Sequence, residues 1–221
     1  MQITKRILTL IPLILMALTS CRQPPKDTSI RILATTDVHG MLFPKDFISG
    51  QAAPNSLAQV YSYKKQLENQ TGTAPLLFDN GDILQGQPVV YYANFEDTTG
   101  VHTVAQVMNY MGYDAASVGN HDIEAGHPVY DKLARQFDFP WLAANAIDTE
   151  TGKPYFRPYT VIRRSGKKIV VYGLFTPAID KWLPPQFWDG IRFEDMVETA
   201  RRDIPAIIEK EKPDLLVGLF H

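Results

Sequence analysis

The sequence contains one cysteine in 221 residues, which excludes an internal disulfide and any zinc site built from cysteines. It has no marked excess of either charge, because 22 Lys and Arg stand against 24 Asp and Glu and the formal net charge is −2. It also has no basic block, which argues against duplex nucleic acid as a partner, since phosphate neutralisation needs clustered basic residues. With Gly 14 and Pro 16, the chain lacks the large glycine or proline excess of a fibrous protein, and its 45% of hydrophobic residues is too high for a disordered one. A globular protein of one large or two small domains remains.

The N-terminal segment is typical of an export signal. Lys5 and Arg6 precede a mostly apolar run, residues 7–17, which is shorter than the about 20 residues that a membrane-spanning helix needs. The following Leu18-Thr-Ser-Cys21 resembles the lipobox of bacterial lipoproteins, in which the cysteine is acylated and becomes the N-terminus. We expect residues 1–20 to be a lipoprotein signal peptide and residues 21–29 a tether. The protein would then be exported and lipid-anchored to a bacterial membrane, facing the periplasm or the exterior; a plain secretory signal is the alternative.

Beyond residue 30, short apolar runs alternate with longer helical patterns, which predicts an α/β fold. The predicted strands are 30–34, 74–78, 114–118, 141–143, 159–163, 168–174 and 214–220. The predicted helices are 57–67, 101–111, 129–136 and 196–210, the last with a kink or break at Pro205. A two-residue connection, Ser165-Gly166, predicts that the strands on either side of it form an antiparallel hairpin.

Polar side chains follow the carboxyl ends of four predicted strands. In chain order they are Asp37, His39, Asp82, Asn120, His121 and His221. In open α/β sheets, ligand sites form at the carboxyl ends of strands, so we expect these side chains to meet at one edge. Mixed carboxylate, amide and imidazole ligands suit a divalent ion such as Mn, Zn, Fe or Co. Five or more ligands are too many for one tetrahedral zinc, which favours two metal ions that share a bridging carboxylate.

Three sequence blocks resemble, in order, conserved blocks of the calcineurin-like metallophosphoesterases. They are Asp37-Val-His39, Gly81-Asp82-Ile-Leu-Gln-Gly86 and Gly119-Asn-His-Asp122. Three further segments narrow the resemblance to the N-terminal domain of bacterial secreted 5′-nucleotidases and 2′,3′-cyclic-nucleotide phosphodiesterases: Thr36-Asp-Val-His-Gly40, Asp79-Asn-Gly-Asp82 with Gln85-Gly86, and Asn145-Ala-Ile-Asp148. The resemblance covers residues 30–221 and implies a layered β-sandwich flanked by helices.

The resemblance also implies a set of ligands for two divalent metal ions. Asp37, His39 and Asp82 would hold one ion. Asp82, Asn120 and His221 would hold the second, with Asp82 bridging. The implied activity is hydrolysis of phosphate esters of nucleotides by a hydroxide that the two metals activate. The substrate would be a nucleotide or another phosphomonoester or cyclic phosphodiester.

His121 would not be a ligand, since in the family this histidine faces the leaving group and stabilises charge on the transferring phosphoryl. Its partner carboxylate in the family lies three positions later, in an Asn-His-Glu-x-Asp pattern. This chain reads Asn120-His121-Asp122-Ile123-Glu124, with the two acids exchanged. Glu124 is therefore the first choice for the partner and Asp122 the second.

The sequence stops on His221, which matches the first histidine of the family's fourth block. The resemblance implies a further Gly-His-x-His or Gly-His-x-Gln block and a separate nucleoside-binding C-terminal domain, neither of which is present here. We therefore expect a catalytic domain that is truncated at its C-terminal side and has impaired turnover. Two alternatives remain: a non-catalytic, lipid-anchored binding module, or another two-metal hydrolase of the same superfamily, such as a thioester-type or sulfur-oxidation hydrolase.

Other polar and aromatic residues are given structural roles. His102 lies in a helical pattern and is expected at the surface. His127 is expected to be structural or exposed, with a supporting position at the mouth of the site as the alternative. The aromatic, proline-rich segment from Trp182 to Trp188 is expected to plug the sheet edge, with nucleobase stacking as the alternative. Tyr91 is ambiguous in the same way.

Overall fold

The computed structural model describes residues 28–221. The predicted signal peptide, Cys21 and most of the predicted tether lie outside the described residues, so export and lipid anchoring stay predictions. Within residues 28–221, no helix has the length and apolar character that crossing a membrane requires.

The described chain alternates short strands with helices, as the sequence pattern predicts. The strands are β1 (Ile32–Thr35), β2 (Leu76–Asp79), β3 (Ala115–Ser117), β4 (Trp141–Leu142), β5 (Ala146–Asp148), β6 (Tyr159–Arg164), β7 (Lys167–Leu174), β8 (Ile191–Phe193) and β9 (Leu215–Phe220). The helices are α1 (Leu57–Thr71), α2 (Pro88–Phe95), α3 (Thr103–Met111), α4 (Asn120–Glu124), α5 (His127–Gln136), α6 (Ile179–Trp182) and α7 (Met196–Glu211). The sequence pattern did not predict α2, α4, α6, β5 or β8, all of which are short.

Two sheets form the centre of the fold. One is parallel, with the order β1-β2-β3-β4. The other has the order β6-β7-β9, in which β7 runs antiparallel to β6 and parallel to β9. Phe78 and Leu142 of the first sheet pack with Ile169, Val171 and Leu219 of the second in one buried apolar cluster. The two sheets are therefore the layers of a sandwich, and β5 pairs separately with β8.

Helices cover both outer faces of the sandwich, because each sheet has a second apolar face to bury. Leu57, Val104 and Leu133, from α1, α3 and α5, share a buried cluster with Leu77 of β2 and Trp141 of β4. On the opposite side, Ile207 of α7 packs with buried residues of β7. The expected layered sandwich with flanking helices is confirmed.

Two local predictions have different outcomes. The hairpin is confirmed: Ser165 and Gly166 connect β6 to β7, and their φ angles of 53° and 76° are both positive, as a two-residue hairpin turn requires. Of the two alternatives at Pro205, the break is wrong, because α7 continues through this residue from Met196 to Glu211, and the kink stays a prediction. Burial of one face of α7 against β7 holds the helix together where one backbone hydrogen bond is lost.

The expected surface position of His102 is also wrong, since this residue is 2% exposed. It is the N-cap of α3, and its Nδ1 accepts the backbone N–H of Val104 at 3.2 Å. Its Nε2 lies 2.9 Å from Oδ1 of Asn94, a residue of the unpredicted helix α2. Burial lowers the pKa of His102 to about 4, so the imidazole is neutral at pH 7.

Candidate active site

The ends of β1, β2, β3 and β9 meet at one edge of the sandwich. Asp37, Asp82, Asn120 and His221 follow these four strands in that order. Hydrogen bonds join the segments: the Asp37 backbone N–H donates to the Gly81 carbonyl at 3.0 Å. The side-chain amide nitrogen Nδ2 of Asn80 donates to the carbonyl of Phe220, the last residue of β9, at 2.9 Å. The predicted convergence of side chains from both sheets is therefore present in the fold.

Three residues at this edge have a left-handed backbone that non-glycine residues rarely adopt. They are Asp37, His39 and Asp82, with φ angles of 50°, 49° and 62°. Such strain persists only where the surrounding structure imposes it, and it concentrates at functional sites. Here the backbone of the strained segments is held by hydrogen bonds, including one from the His39 N–H to the Asp82 carbonyl at 2.9 Å.

The same three residues form a group that could hold a metal ion. Asp37, His39 and Asp82 each offer one ligand atom, and these atoms lie within 4.8 Å of one another. In addition, Nδ1 of His39 is buried and has no hydrogen-bond partner among the described residues. A buried polar atom without a partner is costly, so an unpaired imidazole nitrogen on a residue of this group fits a cation-binding role.

A second set of donor atoms meets at the imidazole of His221. Its Nε2 lies 3.2 Å from Oδ2 of Asp82 and 3.2 Å from Oδ1 of Asn120. Its Nδ1 lies 2.6 Å from the carbonyl oxygen of Asn80, so the ring donates its Nδ1 proton there. This backbone contact fixes the ring orientation in the way that metal-ligating histidines are commonly held. Asp82 contributes to both sets.

The central carboxylate and its histidine perturb each other. The hydrogen bond with Asp82 raises the pKa of His221 to about 9, although burial opposes the shift. Burial alone would raise the pKa of Asp82, but hydrogen bonds from His221 and from the backbone of His121 bring it below the ordinary value. Asp82 is therefore an anion whose environment favours positive charge next to it.

His121 and Glu124 form a close pair beside the three-residue group. Oε2 of Glu124 lies 2.6 Å from Nδ1 of His121, at helical i, i+3 spacing on α4. The His121 backbone N–H donates to Oδ1 of Asp82 at 2.8 Å, and the rings of His39 and His121 lie 5.4 Å apart. The pair is thus fixed next to the candidate ligands, and it is partly open to solvent.

Asp122 lies in a different environment from Glu124. Its side chain is fully buried and accepts four backbone N–H groups. The donors are Gly119 at 2.8 Å, Asp82 at 3.1 Å, Ile83 at 3.0 Å and Leu84 at 3.1 Å. Burial raises the pKa of Asp122 to about 6, while these bonds oppose the shift. The carboxylate joins the loop after β2 to the N-terminus of α4.

Sequence reasoning assigned no role to Asp79, the last residue of β2. Its carboxylate is buried and accepts the Thr35 hydroxyl at 2.5 Å and the Gly81 N–H at 3.1 Å. Burial raises the pKa of Asp79 to about 7. The sequence did contain a signal for this role, because Asp79 ends an apolar strand and directly precedes the turn residues Asn80-Gly81. Asp79 supports the turn that carries Asp82.

The aromatic segment after α6 divides into two parts. Trp188 packs against the main apolar cluster, and its Nε1–H donates to the Leu183 carbonyl at 3.0 Å, as expected of a plug. Trp182 is exposed instead. His127 is half-buried and structural, because its Nε2 lies 2.8 Å from the Asp189 carbonyl and its Nδ1 lies 3.2 Å from the Tyr155 hydroxyl.

Comparisons with known proteins agree with this geometry. Residues 30–221 match the calcineurin-like phosphoesterase family model. The chain is 34% identical over 197 residues to a 5′-nucleotidase of Vibrio cholerae, covering 89% of this chain and 34% of that protein. It is 29% identical over 218 residues to a 2′,3′-cyclic-nucleotide 2′-phosphodiesterase/3′-nucleotidase of Yersinia enterocolitica, covering 94% of this chain and 33% of that protein. The chain spans about a third of the length of these two relatives.

A solved structure has the same fold. The calcineurin-like phosphoesterase YfkN from Bacillus subtilis superposes with a TM-score of 0.78 at 29% sequence identity. The match covers 87% of this chain and 61% of that chain.

Proposed function

Because the chain belongs to the calcineurin-like phosphoesterase family, we propose that it hydrolyses phosphate esters of nucleotides, of the 5′-nucleotidase or 2′,3′-cyclic-nucleotide phosphodiesterase type. The observation that carries the proposal is the grouping of Asp37, His39 and Asp82 with the His121–Glu124 pair beside them. Carboxylates and imidazoles clustered in this way suit a divalent cation, and an imidazole–carboxylate pair suits proton transfer.

The residues present fit a site for two divalent ions. We assign one ion to Asp37, His39 and Asp82, and the second to Asp82, Asn120 and His221. The unpaired Nδ1 of His39 supports the first assignment, and the convergence of three donor atoms at His221 supports the second. Mn, Zn, Co and Fe are the candidates for this donor set. When bound, such ions polarise phosphoryl oxygens and lower the pKa of a coordinated water.

The His121–Glu124 pair accounts for departure of the leaving group. Hydrolysis breaks the bond between phosphorus and the leaving oxygen, and that oxygen must gain a proton to become an alcohol. Glu124 accepts a hydrogen bond from the Nδ1–H of His121, which orients the ring and stabilises its imidazolium form. The Nε2–H of that imidazolium is then the proton given to the leaving oxygen, and the ring is left neutral with its remaining proton on Nδ1. Asp122 cannot act in this way, because four backbone N–H groups already occupy its carboxylate.

The proposal is tested by the hydrolysis of 5′-AMP, 2′,3′-cyclic AMP and p-nitrophenyl phosphate with added Mn, Co or Zn. We expect weak, metal-dependent turnover that Asp82→Ala abolishes. His121→Ala should lower turnover of 5′-AMP by about 10²-fold or more, but turnover of p-nitrophenyl phosphate far less, because nitrophenolate departs without a proton. Equal losses for both substrates would contradict the role of His121, and failure to bind or use any metal would contradict the proposed function.

The cellular location is a separate proposal. We propose that the protein is exported and anchored to a bacterial membrane through acylated Cys21, on the basis of the sequence around that residue. Fractionation of cells that express Cys21→Ser should move the protein from the membrane to the soluble fraction. Unchanged retention in the membrane would contradict the lipid anchor.

A further inference from the structure

One tryptophan is exposed beside the site. Trp182, the last residue of α6, is 58% exposed. In the part of the chain that the structure describes, its indole has neither a hydrogen bond nor an aromatic ring contact. Single exposed apolar side chains are common on protein surfaces, so the exposure of Trp182 alone does not indicate a binding role. Its surroundings must provide that evidence.

The indole lines a cavity that reaches the reacting groups. This cavity has a volume of about 310 Å³ and is lined by Asn120, His121, Glu124, Trp182 and Leu183. It therefore touches a candidate metal ligand, the proposed proton donor and the indole at once. Its volume is sufficient for a small planar ligand group, and its walls combine apolar surface with a few polar groups, as ligand sites usually do.

The backbone that presents the indole is fixed on both sides. Ile179, which begins α6, is fully buried, and its carbonyl accepts the Leu183 N–H at 2.8 Å. The Leu183 carbonyl in turn accepts the indole N–H of Trp188, which packs on the core. Pro184 and Pro185 follow and restrict φ. The backbone at Trp182 is thus held in place before any ligand binds, which lowers the entropic cost of a contact to its side chain.

The position of His121 indicates what would occupy the cavity. If Nε2 of His121 donates to the leaving oxygen, the group bonded to that oxygen extends past the imidazole. In a nucleoside 5′-monophosphate that group is the nucleoside, which ends in a flat, aromatic base. Aromatic side chains stack on bases with little dependence on base identity.

We propose that Trp182 is a stacking platform for the planar base of the leaving group, so that this domain itself favours nucleotides over sugar phosphates. The inference rests on the proposed function, because the role of His121 defines the leaving-group side. Purine and pyrimidine nucleotides would both be accepted, since the contact is to the face of the ring.

A second exposed aromatic residue provides a comparison. Phe95 is 48% exposed and lines a smaller cavity, of about 180 Å³, that also reaches His121 and Glu124. This cavity does not include Asn120 or any other candidate ligand, and the Phe95 ring already packs edge-on against Tyr91 at 5.1 Å. Phe95 is therefore the matched control.

The test compares two substrates with the same leaving oxygen. 5′-AMP and ribose 5-phosphate both release a primary 5′-alcohol, so His121 does the same work for each and only the base differs. We expect wild type to prefer 5′-AMP in kcat/KM. Trp182→Ala should reduce this preference about tenfold, equivalent to about 1.4 kcal/mol. Trp182→Phe should keep most of it, and Phe95→Ala should leave it unchanged.

Binding of the same two compounds, measured by calorimetry without turnover, separates this inference from the proposed function. If 5′-AMP binds more tightly than ribose 5-phosphate and this difference depends on Trp182, the stacking platform is supported. If the protein shows this binding but hydrolyses neither compound, only the proposed function is contradicted. The inference is overturned if wild type binds and uses both compounds equally. It is also overturned if Trp182→Ala lowers binding and kcat/KM equally for 5′-AMP and ribose 5-phosphate. The same holds if Phe95→Ala reduces the preference for 5′-AMP as much as Trp182→Ala does.

Discussion

Changing each of the two acids after His121 to its amide should affect a different property: stability for Asp122→Asn and turnover for Glu124→Gln. The Asp122 carboxylate accepts two backbone N–H groups on each oxygen. An asparagine has one acceptor oxygen, so Asp122→Asn leaves two N–H donors facing an NH₂ group in either orientation. Hydrogen bonds to charged groups contribute about 1.5–3 kcal/mol each, so losing two predicts a loss of about 3 kcal/mol or more in the free energy of unfolding.

Glu124→Gln changes a different property. The Glu124 side chain is 41% exposed, and its close contact is the ring of His121. Removing the charge of an exposed side chain changes stability by about 0.5 kcal/mol at most. It weakens the orientation and proton transfer of His121, however, and should lower turnover of 5′-AMP by about 10²-fold.

Urea denaturation measures the free energy of unfolding of the two variants, thermal denaturation their Tm, and steady-state kinetics their turnover. For a domain of this size, about 3 kcal/mol corresponds to a decrease in Tm of about 6–12 °C, which Asp122→Asn should show and Glu124→Gln should not. The reasoning is refuted if Glu124→Gln unfolds as easily as Asp122→Asn. It is equally refuted if Asp122→Asn keeps wild-type stability and loses only activity.

Three further predictions concern the scaffold. The folded-state pKa of His102 lies near 4, below the unfolded value of 6.5, so its contribution to stability is complete above pH 6.5 and is lost as the pH falls towards 4. Between pH 7 and pH 5 we expect a loss of about 2 kcal/mol, measured by urea denaturation. Lys64→Met removes an ammonium that donates to the carbonyls of Met111, the last residue of α3, at 2.6 Å and of its C-cap Gly112 at 3.0 Å. It should cost about 1–2 kcal/mol in the same assay. Gly119→Ala would place a methyl group against the backbone and carboxylate of Asp82, and calorimetry should detect weaker Mn binding.

Each of these predictions has its own control. His102→Asn retains an N-cap acceptor but does not titrate, so a pH dependence that persists in this variant would assign it to another group. Lys64→Arg keeps a cationic donor and should be milder than the methionine variant. Gly166→Ala, at a turn with no heavy atom within 4 Å of the added Cβ, should leave Mn binding intact. Equal losses in both glycine variants would contradict the steric argument.

The sequence alone located the strands that carry the site. Apolar runs of strand length are followed, within a few residues, by Asp37, Asp82, Asn120 and His221. The rule that ligand sites form at the carboxyl ends of the strands in a sheet can be applied to such a pattern without coordinates. The fold followed from the same alternation of strand and helix patterns and from the family blocks. These features are local, because hydrophobic periodicity and turn residues are properties of neighbouring positions along the chain.

The structure was needed wherever two distant segments determine the outcome. His102 is buried, and the partner of its ring nitrogen is Asn94, on a helix that the sequence pattern did not predict. Asp122 is structural because the loop after β2 donates three N–H groups to it from across the site, and this leaves Glu124 to face His121.

The aromatic residues after α6 follow the same principle. Trp182 and Trp188 are chemically identical and six positions apart, and the sequence assigned them one role. Packing decided that Trp188 lies against the main apolar cluster, while Trp182 lines the cavity at the site. Sequence pattern thus determined which residues reach the edge of the sandwich. Only the tertiary contacts decided which of these side chains pack against the rest of the protein and which face the site, because burial depends on neighbours that are far away in the chain.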